Sequence, residues 1–134
     1  MAQLDMIADR VIADGCSGTE QVTKTPVANR HVPGLIDYIK TMQCGGLITE
    51  IYVSTAASDP SGLPIYLEIT QRNNQIPSFL NIGASVRSLV HRLGQPTARE
   101  SDNLQYQRLD GEDSVTFRLK NGNVSSIRWD WYVD

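Results

Sequence analysis

The chain has 134 residues, 40% of them hydrophobic and 20% charged, which suits one domain with a proper core and excludes a disordered chain. Ten Gly and six Pro in that length exclude a collagen-like or low-complexity sequence. Twelve Lys+Arg against 15 Asp+Glu leave a net charge of −3, too little positive field for a dedicated nucleic-acid binder, and no apolar run approaches the roughly 18–20 residues of a membrane-spanning helix.

Residues 1–14 read two ways. Leu4, Ile7 and Val11 recur at helical spacing, whereas Arg10-Val11-Ile12-Ala13 equally suits the start of a strand. Across 34–44 both periods mix, and the β-branched and aromatic centre around Tyr38 and Ile39 favours a strand. Residues 47–53 and 63–69 are β-rich runs. Between them lies Ser54-Thr55-Ala56-Ala57-Ser58-Asp59-Pro60-Ser61-Gly62, a small-residue loop with an Asp-Pro turn signal. It is longer than the two to five residues a hairpin needs. Long ordered loops on a rigid pair of strands commonly carry recognition.

The last third is the most legible. Over 83–94, Val86, Leu89, Val90 and Leu93 recur as one helix face. Ser85 is placed to cap its start, Gly94 to end it and Pro96 to prevent continuation. Gln105 to Leu109 reads as a strand turning at Asp110-Gly111, and Ser114 to Leu119 alternates apolar with polar residues. Asn121-Gly122 is a tight-turn signal. The final run puts Ile127, Trp129, Trp131 and Val133 on one face, predicted to meet the helix, and Arg128, Asp130 and Tyr132 on the other. The expected fold is α+β. One domain, 1–134, joins a β-rich half over 1–80 to a module over 82–134. Its predominantly antiparallel sheet carries one well-defined helix (83–94) and ends in a helix-plus-three-strand meander.

Cys16 and Cys44 each stand beside glycine and lack the close Cys or His neighbours of a zinc site or an exchange-active pair. An even number without metal spacing predicts one structural disulfide and a home outside the reducing cytosol. The alternative is two buried thiols in a cytosolic protein. The first residues show neither the charged start nor the apolar stretch of a secretory signal. The expectation is therefore an exported, periplasmic protein whose signal peptide is absent from this sequence.

Gly83-Ala84-Ser85, Leu89 and Leu93-Gly94-Gln95-Pro96 resemble the Gly-x-Ser/Thr…Val…Leu-Gly-x-Pro signature of the SmpA/OmlA outer-membrane lipoprotein family. Tyr106, the strand around Phe117 and the Asn121-Gly122 turn into Val124 and Ile127 continue the pattern. The same helix–meander module appears in the β-lactamase-inhibitor-protein-like fold. The resemblance covers about 82–133. It departs from the family in having no lipidated N-terminal cysteine and in its long β-rich first half. What it implies is an exported bacterial protein that works by protein–protein contact.

No convergent catalytic set stands out. His91 points away from the apolar helix stripe and His31 precedes the turn signal Val32-Pro33-Gly34, so both read as surface histidines. A Cys–His pair requires a free thiolate, which the disulfide removes. Asp9, Asp14 and Glu20 lack EF-hand spacing, and Gly45-Gly46 lacks the Lys and Ser/Thr of a phosphate loop. Asn123-Val124-Ser125 is a glycosylation sequon in a turn that already needs its Asn. The expectation is no catalytic residue, no metal, no cofactor and no nucleic-acid partner. The functional expectation is a non-enzymatic inhibitor or immunity protein that blocks a secreted toxin or cell-wall hydrolase. Ser54, Thr55, Ser58, Asp59 and Ser61 of the loop are its candidate partner-binding residues. An envelope assembly factor of the SmpA/OmlA kind is the first alternative, and a small enzyme with a Cys or carboxylate site the second.

Overall fold

The computed structural model describes residues 2–16, 21–56, 62–109 and 111–132. The architecture is α+β, as expected, with two helices instead of one. Residues Ala2–Asp14 form α1. Helix wins over strand here because Leu4, Ile7, Ala8 and Val11 make one continuous stripe that is buried against the sheet. Strands β1 (Gln21–Ala28), β2 (Ile36–Cys44), β3 (Leu47–Val53) and β4 (Leu63–Ile69) follow as an antiparallel meander. Helix α2 (Val86–Leu93) then precedes β5 (Ala98–Arg99), β6 (Asn103–Gln107), β7 (Ser114–Lys120) and β8 (Asn123–Asp130). The second meander thus has four strands, the expected three plus the two-residue β5. Strand β1 was not foreseen at all.

The two meanders join through β4 and β8, giving one eight-stranded antiparallel sheet in the order β1-β2-β3-β4-β8-β7-β6-β5. Each half is a helix followed by four strands, and the halves meet in mirrored strand order. The topology repeats where the sequence does not.

Period-two alternation assigns the two sheet faces. Leu67 and Ile69 of β4 pair with Trp129 and Ile127 of β8, and Val115 and Phe117 of β7 with Trp129 and Ile127 in turn. All are buried, together with Leu104 and Tyr106 of β6, Leu89 of α2 and the α1 stripe. Both helices and the 70–84 connection therefore cover one face. On the other, the partnered residues Tyr66 and Asp130, Glu68 and Arg128, and Thr116 and Arg128 are polar. Among the described residues no helix covers that side.

The helix signals in the C-terminal half act as read. Ser85 Oγ accepts the Ser88 N–H at 3.1 Å, and the Gly94 N–H donates to Val90 O at 2.8 Å. The Tyr106 hydroxyl donates to Gly94 O at 2.8 Å and its ring meets Phe117 edge-on, tying the helix end to the sheet. Asn121 and Gly122 both have positive φ, 55° and 76°, the conformation a two-residue hairpin turn requires.

Two packing features were not legible. Trp129 donates its indole N–H to Leu4 O of α1 at 3.1 Å, so the tryptophan expected on α2 is bonded to the first helix. Asn81, 4% exposed, organises the 70–84 connection. Its Oδ1 accepts the N–H groups of Asn73 and Ile82, and its amide donates to the carbonyls of Asn73 and Ile76. Trp131, just past the end of β8 at Asp130, is half-buried and packs against the core as expected, with its indole N–H 3.5 Å from Asp5 Oδ1 of α1. Its partner in that pattern, Val133, lies outside the described residues.

A disulfide joins Cys16, just after α1, to Cys44 at the end of β2, across a sequence separation of 28. In the chain-entropy account, closing such a loop stabilises the fold by about 3–4 kcal/mol. No helix among the described residues is long and apolar enough to cross a membrane.

Candidate functional site

The uncovered sheet face ends at one rim in a cleft of about 710 Å³. Three segments converge on it: the end of β1 with the turn after it, the base of the 54–62 loop, and the chain leaving β8. Ile39, Leu63 and Ile65 supply aliphatic surface, and Tyr52, Trp131 and Tyr132 are the aromatic residues of the lining. A bulge explains the opening. The β3–β4 register shifts between Glu50 and Ile51, so Ile65 has no strand partner on β3 and its carbonyl accepts the Trp131 N–H at 3.1 Å.

A buried carboxylate holds this rim together. Asp37 of β2 is 0% exposed. It accepts hydrogen bonds from the Tyr52 hydroxyl, from Asn29 Nδ2 at 2.8 Å and from the Thr55 N–H at 3.1 Å. The Tyr52 hydroxyl most of all, then the Thr55 N–H, the Asn29 amide and the Thr55 hydroxyl, outweigh burial and hold the Asp37 pKa below the usual carboxylate range. The same bond to Asp37, reinforced by burial, pushes the Tyr52 phenol up. Asn29 in turn accepts the N–H groups of His31 and Val32, which folds the turn over 29–35. One carboxylate thus ties the turn after β1 to the start of the loop after β3. Sequence reasoning passed over Asp37, because a single acid in a β-rich run reads as a solvated residue until the fold closes on it.

The loop's far end is held by close approach. Gly62 has φ +76°, and a Cβ there would lie 2.4 Å from Tyr52 O and 2.8 Å from Ile51 Cγ2. Only glycine lets the returning chain come this near.

Of the five loop residues predicted to bind a partner, Ser54 lines the cleft and Thr55 is exposed at its edge. Both polar groups of Thr55 are used within the protein, the N–H on Asp37 and the hydroxyl on Ile36 O at 3.0 Å. Ser58, Asp59 and Ser61 lie outside the described residues. The two histidines are apart: His31 lines the cleft, and His91 is exposed on α2.

On the open face beside the cleft, Arg128 pairs with Asp130 at 2.8 Å and the Tyr66 hydroxyl donates to Glu68 at 3.2 Å. Burial first, then the Glu68 charge and hydrogen bond, push the Tyr66 phenol up to about 12, so it stays a neutral donor at any physiological pH.

No family model, curated protein or solved structure matches the chain.

Proposed function

We propose that this is an exported, non-enzymatic protein-binding protein of the periplasm, an inhibitor or immunity protein that blocks a secreted toxin or cell-wall hydrolase. The observation that carries the reading is the broad, uncovered sheet face bordered by a loop whose two ends are held, by Asp37 at Thr55 and by close approach at Gly62. A loop on a rigid base loses less conformational freedom on docking, which leaves more of the contact energy for affinity. The open face offers mixed charge from Glu68, Arg128 and Asp130 beside the half-buried Tyr66, the composition of a polar interface with aromatic anchors. The Cys16–Cys44 disulfide supports an oxidising compartment.

The test is inhibition of purified peptidoglycan hydrolases, both glycan-cleaving and peptide-cleaving, by equimolar protein. One class loses its activity in a stoichiometric complex seen by size exclusion. Asp59→Ala and Gly62→Ala, checked for native circular dichroism, weaken that complex at least tenfold. If these variants inhibit as well as wild type, the loop is not the contact. If neither class is inhibited, the hydrolase reading falls.

A further inference from the structure

The cleft at the rim has a chemical character of its own. Its walls are mainly apolar, with Ile39, Leu63, Ile65, Trp131 and Tyr132 on the lining, and Leu63 is left 59% exposed. Its volume of about 710 Å³ falls within the roughly 300–1,000 Å³ typical of small-molecule sites. The polar lining is one-sided. Arg30 and His31 stand on it, and among the described residues it includes no carboxylate. The neutral groups near them are already committed: the Tyr52 hydroxyl and the Asn29 amide donate to Asp37, and Asn29 Oδ1 accepts two N–H groups. Asp37 lies fully buried beneath the cleft, satisfied by those donors and by Thr55. What meets a ligand is a mainly apolar cleft with Arg30 and His31 on its lining and Ser54 and Tyr132 as further polar lining residues.

We propose that this cleft binds a small amphipathic carboxylate, an alkyl or aryl body lying along Leu63, Ile65 and Trp131 with its carboxylate on Arg30. The planar fork of one guanidinium matches one carboxylate in two parallel hydrogen bonds. A dianionic phosphate would leave part of its charge unmet by a single guanidinium. The turn carrying Arg30 is built before any ligand arrives, since Asn29 holds the His31 and Val32 N–H groups at 2.8 and 2.9 Å. The site therefore needs little ordering on binding. It is independent of the protein-binding reading above, and either stands if the other fails.

Trp131 gives the experiment its readout, because the only other tryptophan, Trp129, is 1% exposed and bonded to α1. Decanoate, kept well below its micelle concentration, is titrated into the full chain and followed by tryptophan fluorescence and calorimetry. Saturable one-to-one binding is expected, strengthening about fourfold per added methylene from octanoate to decanoate. Decyltrimethylammonium, with the same chain and the opposite charge, binds at least tenfold more weakly. Arg30→Ala weakens decanoate binding about tenfold. Leu63→Asp, at an exposed position that tolerates the change, abolishes it. Trp131→Phe loses the optical signal and keeps the calorimetric one. Equal affinity for the cationic amphiphile, or unchanged binding by folded Arg30→Ala and Leu63→Asp, overturns the proposal. So does tighter binding of N-acetyl-Leu-Phe than of decanoate, which would assign the cleft to the end of a protein chain.

Discussion

The two halves of the sheet share a topology and differ in how they are covered. In the C-terminal half, β6, β7 and β8 each present a buried row to the helices: Leu104 and Tyr106, Val115, Phe117 and Leu119, and Val124, Ile127 and Trp129. In the N-terminal half, coverage fades across β3 and stops. Leu47, Thr49 and Ile51 are buried, but Val22, Ile36 and Tyr38, on the same face by register, are 48%, 45% and 37% exposed. Nearly all of β1 is exposed on both sides. The lesson is that one set of strand pairings supports two tasks. The covered half holds the molecule together, and the hairpin half stands out from it, leaving room at its base for the cleft and the loop.

Stability is accordingly concentrated at the seam. The sharpest way to break the contrast is Trp129→Ala, which removes the largest fully buried side chain and the bond to Leu4. A loss of about 3–5 kcal/mol is expected in urea unfolding. Next comes the joint Cys16→Ser and Cys44→Ser variant, which releases the clip between α1 and the β2 end. It costs about 3–4 kcal/mol, and dithiothreitol has the same effect on wild type.

Asp37 sharpens the comparison through pH. Its folded pKa is lowered, so its contribution is complete above the unfolded value near 4 and is lost as pH falls through the lower folded value. Hydrogen exchange over 29–35 and 52–56 is expected to rise in that acid window, before the C-terminal strands open. Asp37→Asn removes this acid dependence and loosens the same segments at neutral pH. If the C-terminal strands respond equally, the two halves are one cooperative unit at this rim. The smallest effect belongs to Val22→Thr on the exposed β1, within about 0.5 kcal/mol of wild type. A large loss there would mean that the hairpin is covered in solution.

The same contrast explains what was readable. The C-terminal half follows local rules: the Ser85 cap, the Gly94 stop and the Asn121-Gly122 turn each act within a few residues. The N-terminal half obeys distant partners. The first segment becomes a helix because a sheet lies under its stripe, and β1 is a strand at the sheet edge through its pairing with β2. Ser54 and Thr55 were singled out for recognition, and Thr55 turns out to spend both its polar groups on β2. Asp37, Arg30 and Gly62 carry no local signal that separates them from ordinary surface residues.

By itself, then, the sequence determined an α+β domain with a capped helix, a C-terminal meander and two cysteines suited to a bridge. Those follow from side-chain period, turn chemistry and spacing, which act over short stretches of chain. Only the tertiary structure decided that β4 meets β8, that Trp129 bonds to α1, and that Asp37 is buried under a cleft beside Arg30. Each of these joins residues far apart in sequence, and a contact between distant residues exists only once the whole sheet has closed.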